Sequence, residues 1–399
     1  MITVSDALTI IAENALPNPE EQVSLHGCRG RVLARDILSD TDWPPFDTSA
    51  MDGYAVRLSD APRPGAVLAE RESVIAAGNA PPGPISPGEA VRVMTGAPLP
   101  PGTEAVIPVE RARREEGRVS FEIAPAPGAH LRRRGESVRS GSRLVAAGRR
   151  LTPGDIALAA LAGVDPVTVF ARPRVAIAVT GDELVSPGEK PRPGQIRDSN
   201  GPMLLALCAA RGWPASPRAR VGDDASGVSA LFAAEGRDED VLVTSGGVSA
   251  GDFDLLPEIA RREGFEILFH GVSLRPGKPV AFARRGRTLW FGLPGNPVSS
   301  SVCFHLFVRF ALDRLEGDPH PGTPRVEARL TRGFENAGTR ETYRDGILSH
   351  AGAMALVEPL ASAGSHDIGA HARANALIRV PADSNPLAAG ATVECLLLL

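Results

Sequence analysis

Between residues 170 and 317 the chain alternates β-branched apolar runs with helix-period patterns, and this alternation constrains the fold more than any other feature. Arg174–Val179, Val241–Thr244 and Arg287–Gly292 read as buried strands. Asp198-Ser199-Asn200-Gly201-Pro202 opens a helix that runs to Arg211 and stops at Gly212 and Pro214. Asn296 and Pro297 open another, with Val298, Val302, Leu306 and Phe310 on one stripe and Gly317 at its end. Strand, helix and parallel strand in repetition predict a doubly wound α/β/α sheet. Such sheets hold their ligands beyond the carboxyl ends of the strands, where the strand order reverses.

Three strand ends carry polar or Gly-rich loops: Thr180–Glu183, Ser245–Ser249 and Pro294–Ser301. In Ser245-Gly246-Gly247-Val248-Ser249, small residues let backbone N–H groups turn inward as an anion nest. Asp252 and Asp254 follow it, Asp182 and Glu183 lie on the neighbouring loop, and Arg275-Pro276-Gly277-Lys278-Pro279 adds two cations. Nests and cations suit phosphates, and carboxylates beside them suit Mg²⁺. A tight turn between a buried strand and a helix, with solvated acids, would use the same residues. The chain has no G-x-x-x-x-G-K-[ST], no G-x-G-x-x-G after a strand and no H-E-x-x-H.

The flanks differ in character. Ser5 is positioned to cap a helix with Leu8, Ile11, Ala12, Ala15 and Leu16 on its apolar face. From about 60 to 128, short strands sit between Gly/Pro punctuation and predict a small all-β module. Asp47, Ser49 and Asp52 crowd one turn ahead of it, Thr95 ends a strand within it, and Arg132-Arg133-Arg134 follows it. Thr152-Pro153-Gly154-Asp155 opens a helix that ends at Gly163. Residues 321–399 read as a small β-barrel or sheet. A net charge of −4 argues against a nucleic-acid partner. Cys28, Cys208, Cys303 and Cys395 form no C-x-x-C pair, so reduced thiols and a cytoplasmic location are expected. The N-terminus lacks a basic signal-peptide region, and no apolar run reaches the roughly 20 residues that span a bilayer.

Eight motifs occur in order: PPFDTSAMDGYAV, RVMTGAPLPPGTEAVIPVE, RRRGE, TGDEL, DSNGPML, TSGGVSAGDFD, RPGKP and GLPGNPVSS. Together they resemble the molybdopterin molybdenumtransferase family, which includes the C-terminal domain of gephyrin. The resemblance implies a helical/strand linker domain (1–40 and 135–169), an inserted β-rich domain (41–134), an α/β/α molybdopterin-binding domain (170–317) and a C-terminal β-barrel (318–399). It implies insertion of molybdate into adenylylated molybdopterin with Mg²⁺-dependent release of AMP. It also implies a homodimer whose cleft joins the α/β domain of one subunit to the inserted domain of the other, with transient hand-over to the adenylyltransferase and to molybdoenzyme chaperones.

On the same resemblance Glu183, Asp240 and Asp254 match the family's acidic, metal-facing positions. Ser245, Gly246, Gly247 and Ser249, with Pro294, Gly295, Asn296 and Pro297, would cradle phosphate or pterin. Arg275 and Lys278 would neutralise anions, Asp52 and Thr95 would serve turnover, and Ser365 matches a barrel motif near the cleft. Ser137 stands where the family often has an acid, and Gly271 where a basic residue is common. A non-catalytic scaffold and a relative specialised for tungstate or another nucleotide form of the cofactor remain alternatives. An adenylyltransferase is disfavoured by the inserted module and the barrel.

Overall fold

In a computed structural model, all residues are described except 81, 219, 223, 235–238, 249–254, 336–337, 385 and 399. The chain forms two compact units, Met1–Arg35 with Gly148–Thr152 and Thr168–Leu399, and Asp36–Ala147 with Pro153–Val167.

Helix α1 (Val4–Asn14) begins the first unit. Its cap is Thr3 rather than Ser5: the Thr3 hydroxyl accepts from the Asp6 N–H, and the Asp6 carboxylate reaches back to the Thr3 N–H. This reciprocal pair satisfies two N–H groups that the first turn leaves open, and only Thr3 has an acid at the right spacing.

The second unit holds a curled six-stranded sheet in the order Ala105–Pro108, Gly53–Val56, Glu89–Val93, Val67–Glu70, Arg118–Phe121 and Ala112–Glu115. Tyr54, Ile107 and Phe121 are buried on one side of it, and Ala55, Val91, Val93 and Val106 on the other. Helix α2 (Pro153–Leu161) belongs to the same unit.

The first unit continues through β1 (Val175–Val179), α3 (Asn200–Arg211), β2 (Ala215–Pro217), α4 (Ala225–Ala234), β3 (Val241–Ser245), α5 (Leu256–Arg262), β4 (Glu266–His270), β5 (Leu274–Arg275), β6 (Ala281–Arg285) and β7 (Thr288–Leu293). The sheet order is β2-β1-β3-β7-β6-β4. The first four strands are parallel, as the alternation predicts. β6 pairs antiparallel with β7 and with β4, which makes the sheet mixed. Every residue of β1, β3 and β7 is buried. Successive side chains of a strand face opposite ways, and the two cores follow that rule. Val175, Ile177, Val241 and Val243 pack with residues of α1 and α3, while Ala176, Ala178, Leu242 and Trp290 pack with residues of α4 and α5. Trp290 spends its indole N–H on Thr244 Oγ1 at 3.0 Å, so its large apolar body is buried without an orphaned donor.

Helix α6 (Pro297–Cys303) passes through a π-helical turn, Phe304–Val308, into α7 (Arg309–Leu315). Beyond it, β8 (Arg325–Leu330), β9 (Glu341–Ala351), β10 (Met354–Pro359), the one-turn α8 (Ile368–His371), β11 (Ala376–Val380) and β12 (Thr392–Leu397) complete the unit. Pairing runs β9-β10-β8-β12-β11 and returns to β9, so these five strands close a barrel. The short β5, between strands of the α/β sheet, pairs with β9. All four cysteines are free and buried. No described helix is long and apolar enough to cross a membrane.

Candidate active site

The strand order reverses between β1 and β3: the connection from β1 leads outward to β2, and the one from β2 returns across β1 to β3. A cleft of about 1380 Å³ opens at the carboxyl ends of these two strands. Its lining comes from both strand ends, the Arg275–Pro279 turn, the Pro294–Ser299 segment and the barrel residues Arg340, Arg344 and Ser365.

The Ser245-Gly246-Gly247 turn is built for close approach. Gly246 has φ +101°, and a Cβ there would stand 2.5 Å from the Thr180 carbonyl oxygen. Ser245 is buried, and its hydroxyl donates to the Pro294 carbonyl and accepts from the Asn200 amide at 2.8 Å. The same Asn200 amide reaches the Gly295 carbonyl at 2.7 Å. The three loops at the strand ends are thereby bound into one floor. Two polar atoms in that floor, Thr180 Oγ1 and Asn200 Oδ1, are buried without a hydrogen-bond partner among the described residues, where buried polar groups are normally paired. Sequence reading placed these two residues only as a strand end and a helix opening.

Glu183 is exposed on the cleft wall. Its carboxylate folds over Gly181, where a Cβ would meet it at 2.5 Å, and Gly181 has φ +144°. The opposite wall is cationic. Arg275, Lys278, Arg340 and Arg344 line the cleft, and none has an ion-pair partner among the described residues. Desolvation and the neighbouring Arg275 charge push the Arg344 guanidinium below its ordinary value. Cations held this close to one another favour an anion between them. Arg344 is the arginine that the family resemblance expects near Tyr343, and Arg340 is an addition to it; the pairing of β9 with β5 carries both to the cleft.

Ser365 joins the same wall. Its hydroxyl accepts from the Asn296 amide at 3.0 Å, and its carbonyl accepts from the Val298 N–H at 3.1 Å. Asn296 does sit at the N-cap of α6, but its side chain is committed to Ser365 and makes no cap hydrogen bond. Cys303 lies beneath the Arg275–Pro279 turn, its thiol 3.6 Å from the Gly277 carbonyl, and burial pushes that thiol upward.

The structure therefore brings Glu183, Ser245, Gly246, Gly247, Arg275, Lys278, Pro294, Gly295, Asn296, Pro297 and Ser365 to one cleft. Asp240 is elsewhere. It precedes β3 at the sheet edge opposite Ser245, where its carboxylate accepts from the Arg174 N–H at 2.8 Å. A five-residue strand spans roughly 16 Å, which separates Asp240 from the cleft. Ser249, Asp252 and Asp254 lie outside the described residues.

Asp52 and Thr95 meet each other in the second unit. The Thr95 N–H and hydroxyl donate to one Asp52 carboxylate oxygen at 2.8 and 2.7 Å. These two bonds hold the Asp52 carboxyl below the usual carboxylate range. Two arginines of the run Arg132–Arg134 are engaged in the same unit, Arg133 with Asp47 and Arg134 with Asp42, each at 2.6 Å.

Comparison with known proteins agrees along the whole chain. Residues 2–163 match the MoeA N-terminal region (domain I and II), residues 176–314 a probable molybdopterin binding domain, and residues 327–398 the MoeA C-terminal region (domain IV). Molybdopterin molybdenumtransferase 2 of Mycobacterium tuberculosis is 35% identical over 404 residues, covering 99% of both chains. The molybdopterin molybdenumtransferase of Bacillus subtilis is 34% identical, covering 100% of this chain and 94% of its own. The crystal structure of a molybdopterin biosynthesis moeA protein from Pyrococcus horikosii superposes with a TM-score of 0.86 at 30% identity, covering 100% of this chain and 99% of that one. This chain belongs to the molybdopterin molybdenumtransferase family, enzymes of molybdenum cofactor biosynthesis.

Proposed function

We propose that the cleft takes adenylylated molybdopterin together with molybdate, inserts the metal into the dithiolene and releases AMP. The observation that carries this reading is the set of four cations, Arg275, Lys278, Arg340 and Arg344, facing a Gly-rich strand-end floor without carboxylate partners among the described residues. Such a wall suits phosphate and a tetrahedral oxyanion at once. Cleavage of a phosphoanhydride is favourable and can drive insertion of the metal between two sulfurs.

Within this reading Ser245, Gly246 and Gly247 hold phosphate or pterin, while Asn200 braces the floor through Ser245 and the Gly295 carbonyl. Arg275, Lys278, Arg344 and Ser365 hold the oxyanion. The donor chemistry fits Mg²⁺. That ion is commonly bound by one or two carboxylates completed by substrate phosphates and water. Among the described residues no cluster of three acidic or sulfur/imidazole ligands forms a protein-only cage. Glu183 would hold the ion with Asp254, and the ion would neutralise the phosphate oxygens of the departing AMP. We assign Asp52 and Thr95 to turnover in a homodimer, where a carboxylate held ionised at neutral pH is available to a second subunit.

Replacing Glu183 by Gln tests the assignment, because it removes a charge and keeps the shape. Folding and binding of adenylylated molybdopterin are expected to persist while cofactor formation falls by at least about a hundredfold, as for removal of a group acting on the reacting atoms. A Glu183→Gln enzyme that forms cofactor at the unsubstituted rate removes Glu183 from the mechanism.

A further inference from the structure

Ser301, His371 and Asp345 form a buried chain of hydrogen bonds that the reading above does not use. His371 Nδ1 lies 2.7 Å from Asp345 Oδ1, and His371 Nε2 lies 2.8 Å from Ser301 Oγ. The three residues are 2%, 8% and 6% exposed in that order. A carboxylate can only accept, so Nδ1–H donates to Asp345 and, in the neutral ring, Nε2 accepts the Ser301 hydroxyl.

Serine, histidine and aspartate in this order invite a nucleophilic reading, and the surroundings refuse it. Ser301 lies inside α6 with its hydroxyl buried, and neither Ser301 nor His371 lines the cleft. An acyl or phosphoryl group therefore has no approach to that oxygen.

What the chain of bonds does is join three elements that carry the cationic wall. Ser301 belongs to α6, whose first residues hold Ser365 through Asn296 and Val298. Asp345 follows Arg344 on the barrel strand β9. His371 ends α8, directly after the loop that bears Ser365. That loop is tied near Ser365 to α6 and within itself by Asp367, which accepts from Ala363 and Ala370 at 3.0 Å each. His371 supplies the third tie, to helix and barrel strand together.

The geometry points to His371 as a positioning residue that fixes Ser365 and Arg344 around the oxyanion, so that Ser301 and His371, acting through Asp345 at the cleft, set oxyanion affinity without touching the oxyanion. This rests on the reading of the cleft given above. A satisfied buried network rigidifies the groups it joins, and removing one partner leaves the next unpaired.

The test uses the full chain with Ser301→Ala and His371→Leu, and with His371→Gln as the conservative variant. Steady-state turnover is measured against molybdate and against adenylylated molybdopterin, and binding of tungstate is measured by calorimetry. Ser301→Ala leaves the imidazole in place, so it keeps the test alive should His371→Leu fail to fold. The expected result is a KM for molybdate raised about tenfold by the loss of one buried hydrogen bond. The KM for adenylylated molybdopterin and kcat at saturating molybdate stay near the unsubstituted values, tungstate binding weakens in parallel, and His371→Gln recovers part of the loss. Equal changes in both KM values, or unchanged tungstate affinity in Ser301→Ala, overturn the inference. If the unsubstituted protein binds no tungstate, or if Lys278→Met leaves its binding intact, the reading of the cleft itself has failed instead.

Discussion

Gly246 carries the most restrictive demand of any residue in the cleft. Its φ of +101° is a conformation that side chains disfavour, and the Thr180 carbonyl occupies the space a Cβ would take. Gly246→Ala is expected to cost about 1–3 kcal/mol in stability and to weaken ligand binding more than Gly295→Ala. At Gly295 a Cβ would meet only the Gly246 Cα, at 3.7 Å. Thermal melts and ligand titrations of the two variants make the comparison; equal effects would show that the turn is not strained as described. His305 makes a separate demand. Burial, followed by the neighbouring Arg309 and His371 charges, pushes its imidazole down to about 3. The folded chain keeps it neutral while the unfolded chain protonates near the ordinary value of 6.5. Below that value the unfolded state binds the extra proton, so stability falls as pH drops from 6.5 toward 3. Melting temperature is expected to decline between pH 7.5 and pH 5.5, and His305→Phe to flatten that decline. An unchanged slope would assign the pH dependence to other groups.

Among the elements, the end of α7 anchors the first unit through charge. Glu316 is fully buried and meets Arg150 at 2.8 Å and the Trp213 indole N–H at 3.2 Å, while Asp313 meets Arg150 and Arg211 at 3.1 and 2.8 Å. Removing one member of a buried ionic set leaves the others uncompensated, so Glu316→Gln is expected to destabilise by about 3–5 kcal/mol. Denaturant unfolding checks this; a loss under about 1 kcal/mol would mark the set as solvated. The second unit gains from acids instead. Backbone and arginine hydrogen bonds hold Asp42 below the ordinary 3.8, as a backbone bond from Ala147 does for Asp36. Their stabilisation is present above that value and lost as pH falls through the lower folded-state values.

The same elements show why sequence reading reached as far as it did. Strands β1, β3 and β7 were legible because burial on both faces demands unbroken apolar runs. The α3 stop at Gly212 was legible because its left-handed conformation, φ +72°, favours glycine. The antiparallel insertion of β6 between β7 and β4 was not, since short apolar runs carry no sign of strand direction. Arg340 was not legible as a cleft residue because only the long-range pairing of β9 with β5 brings it there. Asp240 was assigned to the site on the family resemblance, but five residues of extended chain put it at the other end of β3.

At the scale of the whole molecule, the proposed role of Asp52 and Thr95 is one played across a homodimer. Mixing inactive Asp52→Asn and Glu183→Gln chains is expected to restore partial activity, because a shared dimer would contain one intact cleft. No recovery, with subunit exchange confirmed by mass, would place Asp52 outside a shared site. The central proposal is that anhydride cleavage is coupled to metal insertion. It is tested most directly by AMP release from adenylylated molybdopterin, with and without molybdate and Mg²⁺, scored together with cofactor formed. The account predicts AMP and cofactor in equal amounts, only when molybdate is present. Binding without AMP release, even with tungstate in place of molybdate, would contradict it.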